Sequence, residues 1–441
     1  MLLKNLLFIK MRVTTKRIFM RNMLSLGDEW IHVRLVIIGS GAAGLSAVQT
    51  IIEKGNTVNV VLITKERQFY ALFSLPYFIS GEIEEKYLDR FDPQYFKDLG
   101  IQMKLDTTVT SVNPKSNSIL LASGEEITYD RLLIATGASP IKPPIEGLDK
   151  DGVVTLVSLR DSQTILEKLA HKLKHVVIIG GGFIGIESAT ALNSLGAKVT
   201  IIERENQILP RMLDIDTAEI VKQLLQDHDI EVLTSTSVNQ ILGEDRVKAV
   251  QVGQKKIQCE LVVVAVGVRP NIDIIKGTKI STNEGILVNE YLQTNVPNIF
   301  AAGDVAEALD RATNRLKINA IWPNAISQGR IAAQNMMNRK VQYQGSDAIN
   351  LINIFDTPVL SIGQTSNEIR DCEVIRIHRN RVYRKLLLCD GKVMGYQTIG
   401  DLRNAGFLLH AHRLGADITD VLDSLKKDNL VGQHYWRSNE K

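Results

Sequence analysis

The sequence predicts an α/β protein, and three observations predict it. Two segments, "HVRLVIIGSGAAGLSAVQTII" from His32 and "HVVIIGGGFIGIESATALNSLGAKVTIIERE" from His175, each run from a β-branched strand through a glycine turn into a helix-like stretch. That order is the opening of a Rossmann-like dinucleotide-binding unit, and here it occurs twice. The third observation is length: 441 residues exceed one ordinary core and imply two or three domains.

In the first unit Gly39, Gly41 and Gly44 fit GxGxxG, with Ser40, Ala42 and Ala43 between them. The first glycine permits the tight turn, the second lets backbone approach a pyrophosphate, and the third packs helix on strand. The next strand, "NVVLIT", ends at Thr64 where an acidic residue is expected; Lys65 follows, and Glu66 replaces the acid through a loop shift. The second unit repeats the pattern with Gly180, Gly182 and Gly185 around Phe183 and Ile184. Its second strand, "KVTIIE", ends at Glu203, 23 residues after Gly180. A carboxylate there can accept hydrogen bonds from an adenosine ribose and repel a 2′-phosphate, which favours NADH over NADPH; the adjacent Arg204 softens that preference. Two such units imply two dinucleotides, one held permanently and one exchanged.

Composition narrows the class. Net charge is +3, and residues 1–30 hold six cations against two anions, so the remainder argues against a nucleic-acid binder. Cys259, Cys372 and Cys389 show no CxxC spacing, and the eight histidines suggest no metal site. A disulfide scaffold or thiolate zinc site is disfavoured, and a reducing, cytoplasmic setting is the natural reading. No apolar run reaches the roughly 18 to 20 residues of a bilayer span, so the chain is not expected to be transmembrane. The basic extension over 1–30 reads either as an upstream stretch that a start at Met11, Met20 or Met23 would omit, or as an amphipathic surface or targeting helix.

Three further motifs, "LLIATGASP" (Leu132 to Pro140), "VVVAVGVRPN" (Val262 to Asn271) and "VPNIFAAGDVAE" (Val296 to Glu307), follow in order. With the glycine loops they resemble the FAD-dependent pyridine nucleotide-disulfide oxidoreductase superfamily. The resemblance implies FAD at the first loop and NAD(H) at the second. It also implies an FAD-binding domain over 32–142 and 268–340, split by an NAD(H)-binding domain over 143–267. A C-terminal α+β interface or dimerisation domain would occupy 341–441. Carried onto this chain, Gly303 and Asp304 would meet the ribityl or pyrophosphate part of FAD. Ala135, Thr136 and Gly137 would line a crossover beside it, and Val109 would offer backbone to the adenine. Trp322 and Ala325, in "AIWPNAISQGRIAAQNM", would lie under the flavin pyrimidine, where a helix N-terminus stabilises negative charge. Gly267 would border the NAD site, and Glu187 would stand near the flavin–nicotinamide contact.

One position departs from that pattern. In "YALFSLPYFISGEI" the resemblance places the redox cysteine at Phe73, with Leu75, Pro76 and Tyr77 still matching. A thiol relay needs a nucleophilic sulfur at the flavin, and phenylalanine can only pack and shield. What is left is hydride exchange between NADH and FAD, then electron release singly or in pairs. The C-terminal region resembles that of NADH–rubredoxin oxidoreductases, nitrite-reductase flavin modules and NAD(H)-linked flavin subunits. Those relatives imply a redox-protein partner, an iron–sulfur carrier or subunit, and a homodimer or larger complex. The basic stretch "RIHRNRVYRK", Arg376 to Lys385, offers a rim to steer an acidic partner. Two alternatives stay open: an NADH oxidase or diaphorase using oxygen or a small quinone, and a non-catalytic flavin-bearing assembly subunit.

Overall fold

The computed structural model describes residues 33–54, 59–88, 93–169, 175–364, 372–379, 381–427, 429 and 431. The basic extension over 1–30 lies outside them, as does Asn380. Strand β1 (Arg34–Ile38) passes through the first glycine turn into helix α1 (Ala42–Glu53), and β2 (Asn59–Ile63) returns beside it. The short helix α2 (Leu75–Ile79) precedes β3 (Gln102–Lys104) and β4 (Arg131–Ile134). The second unit holds β5 (Val153–Val154), β6 (His175–Ile179), α3 (Phe183–Ser194), β7 (Lys198–Ile202), α4 (Ile215–Gln226), β8 (Ile230–Leu233) and β9 (Leu261–Val264). Next come β10 (Ile299–Ala301), β11 (Ala306–Asp310), β12 (Arg315–Lys317) and helix α5 (Trp322–Met336). The last region has β13 (Ile349–Ile354), β14 (Thr357–Gly363), β15 (Glu373–Arg379), β16 (Val382–Cys389), β17 (Lys392–Ile399) and α6 (Ala405–Leu414).

The first sheet runs β10-β4-β1-β2-β3 and the second β8-β7-β6-β9-β5, every pairing parallel. Strands covered on both faces must be apolar throughout, and β-branched residues fit the pleat. Leu35, Val36, Ile37, Val176, Val177 and Ile178 accordingly lose all solvent contact. The chain leaves the first sheet after β4, builds the second, and returns to pair β10 with β4. Exit and return are stitched by an antiparallel pairing of Ala138–Pro140 with Val268–Pro270.

The C-terminal sheet is antiparallel, in order β13-β14-β17-β16-β15. It takes Arg384 and Lys385, two of the five cations, out of the expected basic rim. Lys385 is buried and paired with Asp214, the N-cap of α4, to which Gln397 also donates at 2.9 Å. Arg384, buried too, pairs with Asp401 at 3.1 Å, and Arg376 pairs with Asp216 at 2.9 Å. A cation leaves water only where carboxylates meet it, and the first turn of α4 supplies two. Three cations of that segment, Arg376, Arg379 and Arg381, stay exposed, Arg376 in its pair with Asp216.

The cysteines bring a second correction. Cys372 and Cys389, separated by 17 residues, form a disulfide with Cα atoms 4.4 Å apart. Spacing along the chain hid the pair; the antiparallel register, Glu373 opposite Leu388, brings it together. The three regions also share apolar core: Leu75 and Ile79 pack in one cluster with Ile186, Ile201, Ile352 and Val359. The β13–β14 turn adds to this contact, as Phe355 at its tip stacks on His228 with ring centroids 3.9 Å apart.

Candidate functional site

Both glycine loops take one geometry. Gly39 and Gly180 sit at φ +106° and +109°, where an added Cβ would lie 2.1 and 2.4 Å from the carbonyl oxygens of Ala135 and Ala265. A Cβ on Gly44 or Gly185 would lie 1.9 or 2.0 Å from the oxygen of Gly39 or Gly180, so only glycine lets helix meet turn. Gly41 and Gly182 differ: a Cβ there meets nothing within 4 Å. These two are the N-caps of α1 and α3, and neither cap uses a side chain. Each helix therefore points uncapped N–H groups into open space beside a small residue, a donor set that fits a dinucleotide pyrophosphate.

The ends of the second strands differ. Glu203 is 9% exposed and both its oxygens are engaged: Oε2 accepts from Gly181 N at 2.6 Å and Oε1 from Glu205 N at 2.8 Å. Arg204 turns outward to pair with Glu205 at 3.0 Å. In the first unit Ser40 Oγ donates to Thr64 Oγ1 at 2.8 Å, and Glu66 N donates to the same oxygen at 3.2 Å. Glu66 accepts instead from the Tyr70 hydroxyl at 3.0 Å, which also accepts from Leu159 N at 3.2 Å. Lys65 is exposed.

The remaining predicted residues gather on two sides. Gly303 approaches Ala43 and Ala325: its Cβ would lie 3.1 and 3.7 Å from theirs. Its N–H donates to Gln328 Oε1 at 2.7 Å. Beside it Asp304 has no hydrogen-bond partner among the described residues, and desolvation pushes its carboxyl up to about 6. An orphaned acid next to an uncapped helix N-terminus fits a ligand with hydroxyl donors. Thr136 is committed elsewhere: its hydroxyl donates to Asn271 O at 2.9 Å, Asn271 Nδ2 returns a bond to Thr136 O, and Asn271 N donates to Gly137 O. Val109 is buried at the start of the strand Val109–Asn113, and Gly267 takes φ +112° at the return crossover.

On the other side Glu187 projects from the first turns of α3. It too lacks a hydrogen-bond partner among the described residues, and burial raises its carboxyl to about 8. Tyr77, from α2, faces it: burial raises the phenol first and the Glu187 charge adds to that. Tyr77 stands on α2 while Phe73 lies in the turn before it, so no local spacing marked Tyr77 as the neighbour of Glu187.

A family model described as pyridine nucleotide-disulphide oxidoreductase matches residues 33–329. The chain belongs to that family. It is an NAD(P)H oxidoreductase, with FAD and NAD(H) as its cofactors. An NADH oxidase of Methanocaldococcus jannaschii is 34% identical over 398 residues, 85% of this chain and 89% of that protein. The structure of an NAD-dependent persulfide reductase from A. fulgidus superposes with a TM-score of 0.82 at 29% identity, covering 89% of this chain and 79% of that one. That of NADH:rubredoxin oxidoreductase from Clostridium acetobutylicum gives 0.73 at 26% identity, covering 90% and 100%.

Within this family member, Phe73 packs edge-on against Trp322, ring centroids 4.9 Å apart and planes at 88°. The pair joins the turn before α2 to the first residue of α5. No cysteine lies on these elements or on either glycine loop. Cys259 is buried among Val177, Ile241 and Val262 in the second unit, where burial pushes its thiol up to about 12. Cys372 and Cys389 belong to the C-terminal sheet. Among the described residues no group of three His, Cys, Asp or Glu is placed to hold a metal.

Proposed function

We propose that the chain exchanges hydride between NADH and FAD and passes electrons to or from a redox protein, an iron–sulfur carrier or subunit, with no redox-active cysteine. The observation that carries this reading is the Phe73–Trp322 contact: Phe73, which the resemblance aligns with the family's relay cysteine, supplies no sulfur and packs edge-on against Trp322. Support also comes from the NADH:rubredoxin oxidoreductase likeness. A second support is a relative named NADH-dependent phenylglyoxylate dehydrogenase subunit epsilon, 27% identical over 88% of this chain and 94% of that one.

In this reading residues 32–142 and 268–340 hold FAD, 143–267 hold NAD(H), and 341–441 face a partner or second copy. The Gly39–Gly44 loop, α1 and Asp304 bind FAD; a hydroxyl of the cofactor bonded to Asp304 draws its carboxyl back toward the ionised form. When bound, FAD supplies the exchange of an electron pair with nicotinamide and its release singly or in pairs. The Gly180–Gly185 loop takes NAD(H), and the buried Glu203 carboxylate disfavours a 2′-phosphate while Arg204 is neutralised by Glu205. NADH is therefore the preferred donor. Glu187 holds its proton at neutral pH and so puts no charge beside the nicotinamide site. Phe73 and Trp322 exclude water there, and the α5 N-terminus favours negative charge. A cytoplasmic setting and a homodimer, or a place in a larger complex, go with this reading.

The M. jannaschii relative, named an NADH oxidase, favours a second reading in which oxygen takes the electrons. Anaerobic reduction by NADH, followed by mixing with ferredoxin, rubredoxin or oxygen in separate runs, decides. Fast transfer to a protein carrier with slow oxygen turnover is expected. Rapid oxygen turnover with inert carriers would replace the first reading by the second.

A further inference from the structure

The segment from Arg311 to Ser346 contains six cations, Arg311, Arg315, Lys317, Arg330, Arg339 and Lys340, and no Asp or Glu. It includes β12, α5 and Trp322. Strand β12 is the outer member of a small sheet and pairs only with β11, so its second edge is open. All three of its residues, Arg315, Leu316 and Lys317, are exposed, Leu316 by 46%.

The acids that would neutralise this strand are committed inward. Glu307 of β11 is buried and accepts from Gly285 N at 2.6 Å. Asp310 is buried and accepts from Thr313 Oγ1 at 2.6 Å and Asn319 Nδ2 at 2.8 Å. Among the described residues neither Arg315 nor Lys317 has a carboxylate within ion-pairing distance. Side chains two apart on a strand share a face, so both cations point the same way. The Asn319–Asp310 bond and the Ile321 N to Asn319 O bond brace the short link from β12 to Trp322. An unpaired basic strand thus ends five residues before Trp322, in contrast to Arg384 and Lys385, whose charges are spent in buried pairs.

Resting on the proposed function, we propose that β12 is the docking edge for a small electron carrier with an acidic face, steered by Arg315 and Lys317 toward Trp322. Opposite charges at the rim raise the encounter rate, while Leu316, which alternates to the other face of the strand, takes no part in the steering. Each encounter moves one electron, so one NADH reduces two carriers and becomes NAD⁺ with release of one proton.

The test uses the FAD-loaded enzyme, NADH and a small acidic [2Fe–2S] ferredoxin as probe. Arg315→Glu/Lys317→Glu should raise the KM for ferredoxin about ten-fold or more at low ionic strength and flatten its salt dependence. NADH oxidation by a neutral quinone should be unchanged, and Arg339→Glu/Lys340→Glu, at the far end of α5, should shift KM less than about two-fold. Zero-length carbodiimide coupling should attach a ferredoxin carboxylate to Lys317 in the wild type. A wild-type KM and salt slope in the first variant, with Lys317 left unlabelled in the wild type, overturn the docking edge alone. A wild type that reduces quinone quickly and ferredoxin not at all overturns the parent reading, and this one with it.

Discussion

The two glycine-loop units share a backbone but close their second strands differently. In the second unit a buried carboxylate, Glu203, ties the strand end to the loop through Gly181 N. In the first, two neutral hydroxyls do it, Ser40 to Thr64, and the acid is displaced to Glu66 and bonded to Tyr70. The comparison teaches that the turn and helix contact are fixed by sterics, while the strand end is free to vary with its ligand. In the proposed assignment a charged tie keeps acceptor capacity facing the exchangeable dinucleotide. On the same assignment a neutral tie suits the one that stays.

The largest effect should come where sterics rule. Gly44→Ala and Gly185→Ala each force a Cβ into a carbonyl, a clash of several kcal/mol unless the helix shifts. Gly44→Ala should purify without flavin colour or fail to fold. Gly185→Ala should keep its flavin and lose NADH binding by at least about 100-fold, read by anaerobic bleaching. Gly41→Ala and Gly182→Ala, with open space at the Cβ, should fold normally and weaken binding only about ten-fold. Equal losses at all four would break the comparison.

A smaller effect is expected at the strand ends. Glu203→Gln removes a charge-assisted acceptor from two backbone donors, worth about 1.5–3 kcal/mol, and should narrow the preference for NADH over NADPH. Thr64→Val removes a neutral bond worth about 1 kcal/mol and should lower thermal stability without changing that preference. The two losses, measured by calorimetry and by the ratio of kcat/KM values, sharpen the contrast between a charged and a neutral tie.

Glu187 gives a pH signature. Its folded carboxyl is raised to about 8 from an ordinary 4.5, so the folded chain binds the extra proton between those values. Stability is therefore fully present below the unfolded value and falls as pH rises through the folded one. Glu187→Gln should match the wild type near pH 4 and exceed it by several degrees in Tm above pH 8. Parallel Tm curves would show that the carboxyl is not desolvated. The smallest effect is at Phe73: Phe73→Cys should leave disulfide turnover negligible, since a lone sulfur brings no partner thiol.

Much of the fold was legible because parallel strands must be apolar and glycine turns must be glycine. Both loops and the strand-end acid of the second unit follow from such local demands. Pairing across long sequence distance was not legible. Nothing local to Lys385 announces Asp214, 171 residues away, so a buried ion pair read as a steering rim. Cys372 and Cys389 were hidden in the same way, since only strand register makes them neighbours. Glu187 was nominated by resemblance, whereas its facing partner Tyr77 came from the packing of α2 on α3.

The central claim is that electrons enter at the flavin and leave without a thiol relay, and an anaerobic NADH titration of the FAD-loaded enzyme tests it directly. Complete bleaching after about one NADH per FAD is predicted, with no long-wavelength thiolate–flavin band. Uptake of about two equivalents before bleaching is complete would contradict it, showing that a disulfide, of which Cys372–Cys389 is the candidate, exchanges electrons with the flavin.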